Sequence, residues 1–244
     1  MAPPPGYVAY GGYGAYGLGP TQRIGGLTKW LIGLMIASLA AQAISLVLQL
    51  ALRSAAQDYV NNTLTSSQFT NKAATYVLVA VLLVFVGLAQ LVLLIIWTFR
   101  MAKNMRSLGR VPQTFSPGWT IAINILGGCT LGIANFFMWS EIWKGSDPDT
   151  AAGDPTWKQR SVGAVVMAYL VLTLASVAAG FGLGVGNAVF SFRSGSNNTV
   201  ATNLSDKFGL VVVVGIIQLA TLVVFLQLVR QLSARHMRAT KEVA

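Results

Sequence analysis

The chain has 244 residues, 54% of them hydrophobic and only 10% charged, and its mean hydropathy is +0.62. A soluble domain carries roughly a quarter charged residues, so this sequence cannot clothe a water-exposed globule and lipid is its expected solvent. A net charge of +10 would direct a soluble chain to nucleic acid. Here the basic residues flank apolar runs, which points to topology signals and anionic headgroups instead, and no nucleic-acid partner is expected.

Residues 1–22, MAPPPGYVAYGGYGAYGLGPTQ, are rich in Pro, Gly and Tyr. Such a segment cannot bury enough apolar surface to offset its ordering entropy, so a disordered cytoplasmic tail is expected, with Tyr7, Tyr10, Tyr13 and Tyr16 as possible docking points. A membrane domain is expected over residues 23–230. Its first apolar run, Thr28 to Leu52, exceeds the roughly 20 helical residues that cross the hydrocarbon core. Ala41-Gln42-Ala43 resembles a leader cleavage site, but the run continues past it, and an uncleaved helix is expected.

A polar loop over 53–74 precedes the strongest run, Thr75 to Phe99, and a basic stretch with Arg100, Lys103, Arg106 and Arg110 follows. The segment 119–143 is apolar but carries Asn124, Gly127-Gly128, Asn135 and a terminal Glu141. After the turn-rich stretch 144–160 comes a third run, Ser161 to Phe190, then a polar loop at 191–207 and a last run, Phe208 to Val229. Residues 231–244 form a basic tail.

Charge sets the topology. Lys and Arg favour the cytoplasmic side. With both termini cytoplasmic, the weakly basic loops 53–74 and 191–207 lie outside, and the stretch 100–118 lies inside. For the third run to leave the cytoplasm, residues 144–160 must also be inside, so segment 119–143 begins and ends on one side. The fold expected is therefore an all-α polytopic bundle of four transmembrane helices plus a re-entrant or interfacial helical hairpin, in the plasma membrane. The Gly127-Gly128 pair suits a reversal because glycine reaches backbone angles that a side chain disfavours. Asn124 and Asn135 would satisfy backbone groups freed at the break, and Trp119, Trp139 and Trp143 would share one interface.

The sequence Ser116-Pro117-Gly118-Trp119, the apolar stretch with an internal Asn, then Glu141-Ile142-Trp143 and Ser146-Asp147-Pro148, resembles an uncharacterised family. These are bacterial, largely actinobacterial, membrane proteins grouped as domain of unknown function 4328. The resemblance spans roughly residues 75 to 230. It implies an integral membrane protein and supplies no activity. The family's central segment often holds prolines, whereas this chain has none between Pro117 and Pro148.

Few residues suggest chemistry. Glu141 reads as an interfacial acid paired with Lys144 at i+3, with a proton or cation site as the sharper reading. Asp147, Asp149 and Asp154 suit a solvated turn better than a metal loop. Gln42, Gln49, Gln90, Gln218 and Gln227 within the runs read as interhelical packing or, alternatively, a solute path, and the small-residue pairs among Gly180, Gly182, Gly184 and Gly186 as close helix packing. Cys129 and His236, the lone residues of their kinds, give no disulfide and no Cys/His zinc set. His236 is expected to be solvated. No nucleophile–base pair is evident, so no catalytic residue, cofactor or metal is expected and a non-enzymatic protein is favoured. It would bind membrane lipids, with Arg100, Lys103, Arg106 and Arg110 on anionic headgroups, or protein partners, a homo-oligomer included. The alternative is a small channel or transporter with its polar site at Asn124, Gly127, Gly128, Asn135 and Glu141.

Overall fold

A computed structural model describes residues 20–182, 197–206 and 208–242. The expected tail at 1–19 with its tyrosines, residues 183–190 of the third run with Gly184 and Gly186, and the loop at 191–196 lie outside the described residues.

All described elements are helical: α1 (Gly25–Val60), α2 (Ser66–Ser107), α3 (Pro117–Leu126), α4 (Ile133–Gly145), α5 (Ala164–Gly182), α6 (Asn197–Asp206) and α7 (Phe208–Ala239), and no strand occurs among the described residues. Three of them, α1, α2 and α7, are long and apolar enough to cross a membrane. The 19 described residues of α5 rise about 28 Å at 1.5 Å each.

The helices outrun the apolar stretches. The expected loop 53–74 is largely helix, with α1 reaching Val60 and α2 beginning at Ser66. The α2 start is a capping box: Thr65 Oγ1 accepts from the Gln68 N–H while Gln68 Oε1 accepts from the Thr65 N–H. Its end is a Schellman turn. Gly109 (φ +68°) donates to the Arg106 carbonyl, and Arg110 donates to that of Met105. The loop expected at 191–207 contains α6, whose Ala201 packs with Leu52, Ala55, Ala56 and Phe69. The basic tail is helical through Ala239. Hydropathy marks where a helix is apolar; the caps decide where it stops.

Helix α1 packs between α2 and α7, and α7 packs between α1 and α5. These four stand in an arc. Helix α3 lies on α2 and α4 on α5, so the pair fills the gap in the arc at one end. The main core sits at that end: Trp139 lies 6.0 Å from both Trp97 and Phe225 by ring centroids, among Leu31, Met35, Met101, Met138 and Ile142. Trp139 is therefore a core residue and not an interfacial one, unlike Trp119, which is exposed. Along α2 the side chains of Val77, Leu78, Val81, Leu82, Val84, Phe85, Leu88 and Val92 are all exposed. An apolar stripe of that length is suited to lipid contact.

Candidate functional site

The segment between the second and third runs breaks and reverses. Ser116 caps α3 and Pro117 occupies its first turn, where the missing N–H costs nothing. Helix α3 ends at Leu126, a 3-10 turn covers Gly127–Thr130, and the backbone turns left-handed at Leu131 (φ +53°) and Gly132 (φ +80°) before α4 begins. The reversal thus falls at Leu131-Gly132 and not at the glycine pair. Gly127 is right-handed, with φ −55°. It is a glycine for another reason: a Cβ there would overlap the Asn135 side chain. At Gly132 a Cβ would come 2.7 Å from Thr173 Cγ2 of α5.

The two ends of the hairpin meet. The Thr114 and Phe115 N–H groups donate to the two carboxylate oxygens of Glu141 at 2.6 and 3.0 Å. Both oxygens of this buried acid are held by backbone N–H groups, so the expected pairing with Lys144 gives way to a clasp at the hairpin base. Asn124 also differs from expectation. Its Nδ2 donates to Thr98 Oγ1 at 2.9 Å and to the Thr120 carbonyl, so it ties α3 to α2 and does not serve the break. At the break the Gly127 carbonyl accepts from the Gly132 N–H and the Thr130 hydroxyl. Asn135 Oδ1 is buried without a partner among the described residues. Gly128 lies within the 3-10 turn.

Below the hairpin base a polar layer joins four parts of the chain. Asn104 of α2 donates from Nδ2 to the Gln22 carbonyl and accepts at Oδ1 from the Gln22 N–H. That two-point bond fixes the amide orientation. The same Nδ2 lies 3.2 Å from His236 Nε2, which must then accept, leaving Nδ1–H to donate to Ser146 Oγ at 2.7 Å. His236 is fully buried, contrary to the solvated position expected. Trp97 Nε1 donates to Thr28, whose hydroxyl donates to Ser233. Glu242 accepts from the Ile24 and Gly25 N–H groups at the start of α1, where the helix dipole favours a negative charge.

Two charged groups anchor this layer. Arg110, expected on lipid, is 1% exposed and donates to the carbonyls of Gly145, Asp147, Thr150 and Ala151. Burial lowers its pKa, opposed by the charges of Asp154 and Asp147. Asp147, expected in a solvated turn, is buried and pairs with Arg235 at 2.7 Å and Arg160 at 3.3 Å. Burial pushes its carboxyl pKa up, but the Thr150 hydroxyl and the Arg235 and Arg160 charges outweigh it, and the net pKa falls below the usual value. Asp149 is exposed, and Asp154 caps the 3-10 turn Pro155–Gln159. Of the other basic residues singled out, Arg100 donates to the Arg23 carbonyl, Arg106 is exposed and bonds Gln113, and Lys103 is exposed.

Sequence reasoning missed Asn104 and Glu242, and named Ser146 only as part of a motif, without its bond to His236. Their signal was faint: isolated polar residues just beyond or late within apolar helices.

A protein-family model described as a domain of unknown function, DUF4328, matches residues 61–234. It takes in α2 through most of α7, the hairpin and the part of the polar layer around Asn104, Arg110, Ser146 and Asp147, while α1, Arg235, His236 and Glu242 lie outside it. No curated protein and no solved structure shows a significant match. By that match over most of its length, the chain belongs to the DUF4328 family.

Proposed function

We propose that this is an integral membrane protein in which α1, α2, α5 and α7 cross the plasma membrane and α3–α4 enters from the cytoplasmic side and returns. Its role is to bind membrane lipid or protein partners, without catalysis. The observation that carries the reading is the clasp of Glu141 on Thr114 and Phe115. With it, residues 108–116, residues 146–160 and both ends of the described chain lie in one polar layer. Arms of 10 and 13 residues reach about 15–20 Å, near half the hydrocarbon core.

The layer spends Arg110 and Arg235 internally and leaves Arg23, Lys29, Lys103, Arg106, Arg230, Arg238 and Lys241 exposed. Such a rim suits anionic headgroups, each cation near the surface contributing about 1 kcal/mol. The test is the anionic phospholipid that co-purifies with the full chain in mild detergent. The triple variant Lys103→Gln, Arg106→Gln, Arg230→Gln is expected to lose most of it. Equal retention by the variant would remove the rim from the reading.

A further inference from the structure

Beyond the end that the hairpin fills, the described parts of α2 and α5 stand apart, so the arc is open between them. A groove of about 430 Å³ lies there, within the size range of small-molecule sites, lined by Gln42 of α1, Leu83 of α2, Tyr169 and Ser176 of α5, and Gln218 and Phe225 of α7. Among the described residues no charged side chain lines it. Its depth is unusual. Gln42 stands near the middle of the apolar run 28–52 and Gln218 near the middle of 208–229, so both amides fall near the bilayer midplane. Gln218 is exposed there, and an amide N–H left without an acceptor in hydrocarbon is costly.

The hydrogen bonds show what the groove still offers. Ser38 donates to Gln90 Oε1. Thr221 donates to the Ile217 carbonyl, so Ser176 donates to Thr221. Gln42 Nε2 donates to Gln218 Oε1 at 3.2 Å. Two primary amides hold four N–H bonds, and that contact uses one. The other three have no acceptor among the described residues, so a ligand that supplies acceptors would satisfy them. Tyr169 and Phe225 stack at 4.9 Å beside them and give the site a flat apolar wall.

We propose that this groove binds an uncharged, membrane-dissolved ring bearing carbonyl oxygens and a long apolar tail, of the prenyl-quinone kind. The carbonyls accept from Gln42 and Gln218, the ring lies against Tyr169 and Phe225, and the tail leaves through the opening between α2 and α5. Absence of charge excludes a phosphate head, and the midplane depth disfavours a glycerolipid, whose polar groups sit at the interface. The proposal rests on the reading that these helices span the bilayer.

The full chain in nanodiscs is titrated with decylubiquinone, and bound quinone is measured by absorbance after separation. Gln218→Leu is expected to weaken binding about tenfold, the worth of one or two hydrogen bonds, while Gln227→Leu, on an exposed position outside the groove, leaves it unchanged. Equal binding by wild type and Gln218→Leu would overturn the proposal. So would dioleoylglycerol displacing the quinone at equal concentration, or a dimer that Gln218→Leu converts to monomer without any quinone bound. Extraction of the protein from membranes by alkaline carbonate would instead sink the spanning reading; retention without quinone binding sinks the groove alone.

Discussion

At the scale of single residues, three buried charges hold the polar end together, and each has a different consequence when changed. Glu141 accepts two backbone N–H bonds through a charged group, and such bonds contribute a net of about 1.5–3 kcal/mol each. Glu141→Gln keeps the shape but can accept with only one oxygen, so the unfolding free energy in detergent is expected to drop by about 2 kcal/mol. Arg110 reaches four carbonyls with its planar fork; a lysine concentrates its donors at one point. Arg110→Lys is therefore expected to destabilise nearly as much as Arg110→Met. For Asp147 the folded pKa lies below its ordinary 3.8. A depressed carboxyl pKa gives stability that is present above the unfolded value and is lost as pH falls through the folded one. Unfolding midpoints are expected to fall on acidification below about pH 4, and Asp147→Asn to flatten that decline.

At the scale of elements, the hairpin depends on its turn. Gly132→Ala places a side chain at φ +80° and 2.7 Å from Thr173, and left-handed strain alone costs about 1–3 kcal/mol. Gly87→Ala, in α2 with open space around it, is the control and is expected to gain up to about 1 kcal/mol. The reversal itself was legible from charge and from the polar residues in an apolar segment. Its position was not. Gly127 carries the usual sign of a turn, yet its glycine answers to Asn135 across the hairpin, a contact between arms that no local pattern encodes. Helix ends were legible only where caps are read beside hydropathy: Thr65 with Gln68, and Gly109, were in the sequence all along.

At the scale of the whole molecule, the apolar runs gave the three long helices directly, because hydrophobic length is a local property. The polar layer was hidden for the opposite reason. Residues such as Gln22, Asn104, Ser146 and His236 become partners only when four distant segments meet, and each alone looks like an ordinary polar residue at a helix end. The same holds for the groove, where Gln42 and Gln218 were visible as amides within runs but their shared depth followed from the packing of α1 on α7.

The proposed re-entry between α2 and α5 places residues 146–160 on the same side as the end of α7. The direct measurement is thiol accessibility in a Cys129→Ser background, comparing Ala152→Cys, Lys241→Cys and Asn62→Cys, all at exposed positions. A membrane-impermeant maleimide is applied to intact and to lysed cells. Re-entry requires that Ala152→Cys and Lys241→Cys label together only after lysis, and that Asn62→Cys labels in intact cells. Labelling of Ala152→Cys in intact cells, with Lys241→Cys still protected, would put the segment across the membrane and contradict it.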